Sequence, residues 1–481
     1  MKKVLALLLI AVMCCGVFAA CSSPAAETPS EPTTTEETPA TTEDADAASL
    51  VSDAFINPTA DWTQYNDLIT QIKTETDYAK RTELMHKAED ILMSNYCILP
   101  FYYYNDLYMQ KDYVDGIYAN LFQTKFFMYA TMSNGSDTLR LNLASEPDFL
   151  DPALNSTVDG ACLAANSFSG LYTYNAEGHT VPACATGYTV SDDGLTYTFH
   201  INPDAKFSDG TDITAEDVEW SYEYVRDQCD NWSWLYKTLD DVEAVDEKTA
   251  VFHFSAADAS RLSIMSSSQY GSVFSKAAME KYGDDYGKTA ESVVSSGPYV
   301  ITDWKENEYV KFEARDDYYG KKPDLTHLKY VPVSDVNAAV VALQTGELDL
   351  YFNPLSGVAL DTVKTADNVA ISEALSCRNE SVYMNCESEV FSDVRMRRAV
   401  AYAINKEEAL EVCGNGQGKV VTYPCDLGEQ VTGNPDFVPS HTYEYNVEKA
   451  RALVEECGNV GATVTIKSYN TEPFATMSVW L

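Results

Sequence analysis

The stretch from residue 192 to residue 226 constrains the fold more than any other part of the 481-residue chain. From residue 195 to residue 201, hydrophobic residues alternate with polar ones, which is typical of a strand with one buried face. A turn over 202–210 interrupts the strand. Thr214, with Asp217 three residues later, then forms a carboxylate variant of the capping box. The stretch therefore predicts a strand, a turn and a capped helix in succession.

The turn and the helix also carry a family resemblance. The letters NPDAKFSDG, at 202–210, and TAEDVEWSY, at 214–222, resemble the signature of the large extracytoplasmic solute-binding proteins of peptide-type ABC importers, the oligopeptide- and dipeptide-binding family 5. Further blocks similar to this family follow in its order, at 170–188, 295–323, 343–352 and 391–410. The resemblance implies an α/β fold of the class II, peptide-type periplasmic-binding-protein-like kind, with two lobes and an additional small inserted domain.

The composition agrees with a multi-lobed protein and excludes one class of partner. With 45% hydrophobic and 12% aromatic residues, a chain of this length can bury several cores. The net charge is −40, from 73 acidic and 33 basic residues. Such a charge repels phosphate backbones and anionic lipid surfaces, so we expect no nucleic-acid partner.

The first residues have the layout of a secretory signal. Two lysines precede an apolar run from residue 4 to residue 12, which is too short to span a membrane. Small residues before Cys21 resemble a bacterial lipobox, which implies that Cys21 is lipidated; an ordinary signal with a chance cysteine is the alternative. We expect a lipoprotein signal peptide and lipobox at 1–21 and a disordered Pro/Thr/Glu-rich linker at 22–49. The protein would then lie at the extracytoplasmic face of the bacterial cell membrane, in the periplasmic space of a Gram-negative organism, with a lipid anchor as its one membrane contact.

The cysteines do not suggest a disulfide scaffold or a metal site. Of the 12 cysteines, Cys14, Cys15 and Cys21 lie in the signal or at the lipobox, and the other nine are spread thinly over the remaining chain. There is no CxxC pair and no Cys/His spacing suited to zinc, so we expect buried thiols, no metal and no cofactor. Cys413 and Cys425 could pair across a Gly-rich loop, which geometry has to decide.

Residues 50–133 resemble the C-terminal end of the same family, although they come early in this chain. A helix is predicted from Asp77 to Met93, and an aromatic strand follows at 101–104. The family's first strand, at 139–143, comes only after the tight turn at 134–135. The order therefore reads as a circular permutation, which proteins tolerate where their ends lie close together.

The permuted order is incomplete by comparison with the family. A few dozen family residues have no counterpart between the end at Leu481 and the resumption near residue 50. They include the Trp-rich, Asp-containing loop that holds the ligand's terminal ammonium in peptide binders. Three explanations stay open: a remnant of one copy fused to a truncated second copy, a true permutant with a deletion, or a gene-model or assembly artefact.

This order assigns the chain to lobes. Within lobe II we expect Ser392 to cap a helix, another helix to begin at Asn446, and a strand at 462–466. The expected units are 50–133 as the end of lobe II returning to lobe I, 136–352 as lobe I with a small inserted domain at about 171–239, and 353–481 as a truncated lobe II.

The chain carries no enzyme motif, so we expect a protein that is not an enzyme. GxSxG, Walker and HExxH patterns are absent from the sequence, and the histidines are scattered. The carboxylate pairs are neighbours in sequence and are read as surface charge. The basic residues Arg395, Arg397 and Arg398 predict a solvated, ion-paired helix face, from which one could reach a ligand carboxylate.

The resemblance implies a ligand cleft between the lobes that closes about a hinge. A peptide there would be held strand-like by main-chain groups, with roomy pockets for its side chains. Each residue assigned to the cleft has a structural alternative, such as a core role for the tryptophans. The expected ligand-binding residues are Glu146, Pro147, Asp148, Phe149, Asn166, Ser167, Trp232, Trp234, Tyr236, Tyr383 and Asn385.

The leading hypothesis is a lipid-anchored extracytoplasmic protein that captures oligopeptides, or a similar small solute, and delivers them to an ABC transporter permease. We expect it to act as a monomer. Nickel chelates, haem and oligosaccharides are alternative ligands within the same family. A non-transporting or degenerate surface lipoprotein of the same fold, used for adhesion or sensing, is the alternative from another class, and a secreted hydrolase is the third.

Overall fold

A computed structural model describes the chain from Trp62 onward, and the expected signal, lipobox and linker lie outside it. Glu146, Asp148 and Cys425 are also among the residues without a description. The described residues are 62–481 apart from 104, 121–122, 144–146, 148, 156, 176–178, 334, 354, 356, 375, 377, 422–443 and 469–473.

The helices begin where the sequence offers caps. Asp77 caps the second helix by accepting a hydrogen bond from the N–H of Lys80, and Asn446 accepts from the N–H of Lys449 in the same way. In chain order the described helices are α1 (Trp62–Thr74), α2 (Tyr78–Ser94), α3 (Val158–Ser167), α4 (Ala215–Gln228), α5 (Arg261–Met265), α6 (Lys276–Tyr282), α7 (Val336–Thr345), α8 (Gly357–Lys364), α9 (Val394–Ala403), α10 (Lys406–Val412), α11 (Val447–Glu456) and α12 (Phe474–Trp480).

The strands are short and mostly half-buried, as the alternating patterns predict. In chain order the described strands are β1 (Ile98–Tyr103), β2 (Asp106–Lys111), β3 (Val114–Asp115), β4 (Tyr118–Ala119), β5 (Lys125–Phe126), β6 (Thr131–Met132), β7 (Thr138–Leu143), β8 (Tyr172–Tyr174), β9 (Thr180–Pro182), β10 (Ala185–Val190), β11 (Thr196–Ile201), β12 (Leu239–Asp246), β13 (Thr249–Phe254), β14 (Tyr299–Lys305), β15 (Tyr309–Ala314), β16 (His327–Pro332), β17 (Leu350–Tyr351), β18 (Val369–Ala374), β19 (Asn379–Tyr383) and β20 (Lys419–Val420).

The first lobe is built on a mixed sheet whose described strands follow the order β14-β15-β16-β7-β17-β2-β18. β7 runs parallel to β16 and to β17, whereas β2 is antiparallel to both β17 and β18. Two strands depart from the expected boundaries. β2 belongs to this sheet although its residues were expected to end lobe II, and β18 belongs to it although lobe II was expected from residue 353. Both strands lie in the first lobe because β2 pairs with β17 and β18, and the sequence pattern does not specify which strands pair.

The second lobe is built on the sheet β19-β1-β20, again counting described strands. Helices α1 and α2 pack on β1 through a core that includes Tyr65, Leu68, Leu92 and Tyr103. Helices α9 and α10 contribute to a neighbouring core on the same strand. The early residues 62–103 are therefore structural parts of a lobe whose other elements come from the second half of the chain.

The small domain contains the strand, turn and capped helix of residues 192–226. Its sheet has the order β10-β11-β13-β12 and extends to Phe254, beyond the boundary expected at residue 239. The capping box is confirmed, because Thr214 Oγ1 accepts from the N–H of Asp217 and the Asp217 carboxylate accepts from the N–H of Thr214. On β11, Phe199 and Ile201 are buried, as the alternation predicts.

Three local predictions in lobe II were wrong. Asp393 rather than Ser392 caps α9, since its carboxylate is placed to accept from the N–H of Arg395. Residues 462–468 form no strand and are exposed. Arg397 is not solvated: its guanidinium is buried and donates to the carbonyls of Asn95, Phe391 and Ser392. Within the part of the chain that the structure describes, no helix is both long and apolar enough to cross a membrane.

Candidate functional site

One edge of the large sheet collects the ends of its central strands. β16, β7 and β17 run parallel, so Pro332, Leu143 and Tyr351 all lie at the carboxyl edge. Because β2 and β18 pair antiparallel in register, β2 begins and β18 ends at this same edge, where Asp106 lies opposite Ala374. Ligands of open α/β sheets bind outside the carboxyl ends of strands, so this edge is the candidate site.

The two lobes are connected at this edge by two neighbouring segments. The chain passes from β1 to β2 through residues 104–105, and from β18 to β19 through residues 375–378. β2 pairs with β18 in the first lobe, and β1 pairs with β19 in the second. The connections therefore lie side by side, and we call these two segments the hinge, because paired connections of this kind allow one lobe to rotate against the other.

A buried ion pair stands where β2 leaves the hinge. The ammonium of Lys125 lies 2.6 Å from Asp106 Oδ1 and 2.7 Å from Oδ2, and it also donates to the carbonyl of Gln123 at 3.0 Å. Burial raises the pKa of Asp106, and the charge of Lys125 opposes that rise. The Lys125 nitrogen is also 5.6 Å from the ring centre of Phe352, just after β17. The pair thus joins the segment before β5, the hinge and the end of β17.

An asparagine fixes the exit of β17 beside that of β7. Asn142 is fully buried in β7, and its Oδ1 accepts from the N–H of Phe352 at 2.9 Å. Its Nδ2 donates to the side chain of Asn353. A buried amide needs such partners, since an unpaired one costs about 1–3 kcal/mol. Phe352 and Asn353 are therefore held next to Asn142, at the end of β7.

Polar and ionisable residues also line the hinge itself. Asn105 donates to the carboxylate of Glu373, one strand away. Arg378 donates through Nη1 to Oε1 of Gln123 at 3.0 Å, which connects the second hinge segment to the first lobe. Burial raises the pKa of Glu380, at the start of β19, to about 7, while the charge of Arg378 opposes this.

The lobes also meet away from the hinge. The N–H of Ala259, in the first lobe, donates to the carbonyl of Lys73 at the end of α1, at 2.7 Å. The charge of Asp258 also acts on the buried side chain of Arg81 in α2. The structure therefore shows the lobes in contact on both the hinge side and the α1 side.

The segment that follows β7 contains four of the expected ligand-binding residues. Glu146 and Asp148 lie outside the described residues, Pro147 is buried and Phe149 is half-buried. The N–H of Leu150 donates to the carbonyl of Gly287 at 2.7 Å, which anchors the segment on the first lobe. Their position after the carboxyl end of β7 places Pro147 and Phe149 next to the candidate site.

The aromatic residues of the small domain pack against the continuation of that segment. Asn231 Nδ2 donates to the carbonyl of Leu154 at 3.2 Å, so the aromatic loop and the segment after β7 lie together. Trp232 and Trp234 are half-buried: the former lies 4.8 Å from the ring of Tyr270, and the latter donates to the carbonyl of Asn231. Tyr236 is different. It is fully buried and donates to the carbonyl of Tyr270 at 2.8 Å, so in this conformation it is a core residue.

Asn166 and Ser167 also lie inside the first lobe rather than at its surface, each with 1% of its surface exposed. Asn166 donates to the carbonyls of Lys125 and Cys162 and accepts from the N–H of Phe127. Ser167 donates to the carbonyl of Leu163. In this conformation the Asn166 side chain holds α3 and β5 together, the Ser167 hydroxyl bonds within α3, and the expected ligand contact of both residues stays a prediction.

Tyr383 and Asn385 lie on the other side of the hinge, as expected for the facing lobe. Tyr383 ends β19 with 61% of its surface exposed, and Asn385 is exposed in the turn that follows. Asn385 Oδ1 accepts from the N–H of Glu387. Among the expected residues, the structure therefore places Pro147, Phe149 and the two tryptophans on one lobe, and Tyr383 and Asn385 on the other.

Sequence reasoning missed the polar residues at the sheet edge and the hinge. Asn142 gives a signal, because it is the one uncharged polar residue in the strand pattern LRLNL at 139–143. Asp106 and Lys125 give none, since neither pattern nor spacing shows that they meet. No group of three or more His, Cys, Asp or Glu side chains in the described part is placed to hold a metal ion.

Two lobes joined by a paired hinge, with the candidate site at the carboxyl edge of the first, define the class: a two-lobed α/β solute-binding protein. The family model described as "Bacterial extracellular solute-binding proteins, family 5 Middle" matches residues 179–479, and the chain belongs to this family. The resemblance seen in the sequence is thereby confirmed.

A curated relative of the chain is named for the solute glutathione. The glutathione-binding protein GsiB of Escherichia coli (strain K12) is 29% identical over 329 residues, which cover 67% of this chain and 62% of the relative. The chain therefore spans about 62% of the length of these curated relatives.

Solved structures show the same fold. MoaA of A. tumefaciens R10 in complex with mannopinic acid has a TM-score of 0.59 at 23% identity, over 72% of this chain and 70% of that one. The oligopeptide-binding protein AppA of Bacillus subtilis in complex with a nonapeptide has a TM-score of 0.54 at 22% identity, over 66% and 64%. NikZ of Campylobacter jejuni in complex with Ni(L-His) has a TM-score of 0.56 at 22% identity, over 67% and 63%. These likenesses confirm the peptide-type, two-lobed α/β fold.

Proposed function

We propose that this protein captures short peptides between its two lobes and delivers them to an ABC transporter permease in the membrane. The observation that carries the proposal is the paired hinge at the carboxyl edge of β7 and β17, which places both lobes around one site. A solute that touches both lobes stabilises the closed state by its differential contacts, and the permease then recognises that state. The protein acts as a monomer and catalyses no reaction.

The peptide class is proposed on two grounds. The relative with 29% identity is named for glutathione, which is itself a tripeptide, and one neighbour of the same fold holds a nonapeptide. Trp232, Trp234 and Phe149 offer half-buried aromatic surface on the first lobe, while Tyr383 offers it on the second. Aromatic faces of this kind accept varied peptide side chains, whereas main-chain groups fix the direction of the peptide.

A thermal-shift screen tests this function. The exported protein is heated alone and with glutathione, pooled short peptides, a nickel–histidine chelate, haem, a short oligosaccharide and mannopinic acid. A ligand present at about 100 times its dissociation constant adds about 2.7 kcal/mol to the free energy of unfolding, so the melting temperature rises visibly. The proposal expects a rise with glutathione or a peptide pool. If the melting temperature rises with only one of the other solutes, that solute replaces the peptide as the proposed ligand. A cooperative melt that no solute shifts contradicts a receptor function and favours a non-transporting lipoprotein.

Lipid anchoring at Cys21 is part of the same proposal. The small residues before Cys21 support it, together with the polar tract at 22–49, which suits a tether. The variant Cys21→Ala should move the exported protein from the membrane fraction to the soluble fraction and abolish labelling with a fatty-acid probe. Cys15→Ala, in the apolar part of the signal, is the control and should leave both unchanged; equal labelling of the two variants contradicts the anchor.

The proposal also covers the order in which the family's segments follow one another along the chain. We propose that residues 50–133 supply the family's C-terminal segment, so that the order is a permuted one. Three observations support this: β1 lies between β19 and β20, β2 lies between β17 and β18, and the family model matches only from residue 179. Tryptic mapping of the protein from its own cells should recover the peptide 126–140, which spans the turn at 134–135 that joins the two segments. Recovery of peptides from both sides without this one contradicts the permuted order.

A further inference from the structure

Two cysteines that are far apart in the sequence meet where β1 begins and β19 ends. Ile98 pairs with Tyr383 in the antiparallel register, and the N–H of Met384 donates to the carbonyl of Cys97 at 2.9 Å. Cys386 Sγ donates to the carbonyl of Met384 at 3.5 Å. The turn after β19 therefore folds Cys386 back over the start of β1, where its thiol is in hydrogen-bond contact with that of Cys97.

The two thiols are partly accessible and rest in the protonated form. Both cysteines are half-buried rather than enclosed. The hydrogen bond with Cys386 raises the pKa of Cys97 well above its usual value and burial adds to the rise, while the charge of Arg397 opposes it. Arg397 itself is held in place by a 2.8 Å bond from its Nε to the carbonyl of Asn95. Because the net shift of the pKa is upward, the thiols rest protonated, and the fixed guanidinium stabilises a thiolate only once a proton has left during exchange.

We propose that Cys97 and Cys386 form a disulfide bond in the exported protein. The oxidant is a disulfide of the extracytoplasmic compartment, either a protein disulfide donor or a small-molecule disulfide, and the step is thiol–disulfide exchange. The thiols of Cys97 and Cys386 lose their protons, and the S–S bond of the oxidant breaks. One S–S bond forms between the two Sγ atoms, while two electrons and two protons pass to the oxidant, which leaves as two thiols.

The bond would join parts of the molecule that the backbone separates. Cys97 follows α1 and α2, which pack on β1 in the second lobe, and the chain then runs through the whole first lobe before it reaches Cys386. A crosslink across so long a loop restricts the unfolded chain strongly. It would lock the helices at residues 62–94 onto the second lobe without bridging the hinge, so the lobes would stay free to move.

Mapping of the linkage tests the proposal directly. The full chain is exported by a bacterial host, quenched in acid, alkylated without reduction, digested and analysed by mass spectrometry. The expected product is a crosslinked peptide pair containing Cys97 and Cys386, with neither residue alkylated until reductant is added. The fully buried Cys162 and Cys184 should appear as alkylated thiols once the protein is denatured. Alkylation of both Cys97 and Cys386 before reduction overturns the proposal, and so does a crosslink from either one to another cysteine.

Melting temperatures provide an independent readout. C97S, C386S and the double variant should melt at one common temperature, about 5–10 °C below the oxidised wild type, because each removes the same bond. C457S is the matched control, since Cys457 is also half-buried in the second lobe, and it should melt near the wild type. Additive losses from C97S and C386S would show that the two thiols act separately and would contradict the bond.

Discussion

Glu380 is the residue whose protonation should make the unfolding free energy depend most clearly on pH. It lies in β19 opposite Tyr102, with 7% of its surface exposed, and burial raises its pKa from 4.5 to about 7. A carboxyl group whose pKa is higher in the folded than in the unfolded state stabilises the fold fully below pH 4.5 or so. That contribution is lost as the pH rises through about 7.

The variant Glu380→Gln keeps the shape of the protonated acid and removes the titration. Between pH 5 and pH 8, the wild type should lose about 2–3 kcal/mol of unfolding free energy relative to this variant. Denaturant unfolding at several pH values measures the difference. Glu306→Gln, at an exposed turn, is the control and should track the wild type. A Glu380→Gln variant that also tracks the wild type from pH 5 to pH 8 would show that burial does not perturb this carboxyl.

At the scale of single residues, sequence reasoning succeeds where the partners are local. Thr214 and Asp217 are three residues apart, and their reciprocal hydrogen bonds are those that the capping pattern predicts. Asn166 fails this condition, because its partners at Lys125 and Phe127 lie some forty residues earlier in the chain. Tyr236 is similar: an aromatic residue in a loop looks the same in sequence whether it is exposed or, as here, buried.

At the scale of elements, Arg315 joins the small domain to the large sheet. Its Nη2 donates to the carbonyls of Lys206 and Phe207, in the turn before α4, and its Nη1 donates to those of Ser295 and Gly297. The guanidinium is almost entirely buried, so its loss would take one donor from each of these carbonyls. The carbonyls of Phe207 and Ser295 would keep the N–H groups of Gly210 and Ser208 as donors.

Arg315→Met should therefore lower the unfolding free energy by about 2–4 kcal/mol, because buried carbonyls lose a charged hydrogen-bond donor and an unsatisfied buried polar group costs about 1–3 kcal/mol. The midpoint of urea unfolding measures the loss. Arg451→Met, on the exposed face of α11, is the control and should cost less than about 0.5 kcal/mol. If both variants unfold at the wild-type midpoint, Arg315 does not hold the domains together.

The elements themselves were largely predictable, while their partners were not. The start of α2 at Asp77 and the start of α11 at Asn446 follow from local caps. The assignment of β18 to the first lobe depends on its pairing with β2, more than 250 residues earlier, which a period-2 pattern cannot specify. Residues 462–468 have the alternating pattern of a strand, but they pair with none of the described strands. An alternating segment becomes a strand only where a neighbouring strand is present to pair with it.

At the scale of the whole molecule, the two lobes and their family could be inferred from the sequence because the signature blocks are long and ordered. The hinge could not be located in the same way. The position of the hinge depends on two strand pairings, β1 with β19 in one sheet and β2 with β18 in the other. Each pairing joins an early segment of the chain to a segment more than 250 residues later. The buried pair of Lys125 and Asp106 is a consequence of that topology, and so it too was missed.

The hinge implies that the two lobes close on a solute. Small-angle X-ray scattering of the exported protein, with and without a saturating peptide identified by the thermal-shift screen, tests this most directly. We expect a smaller radius of gyration with peptide than without, because closure brings the lobes together about the hinge. A peptide that raises the melting temperature but leaves the radius of gyration unchanged would contradict closure about this hinge.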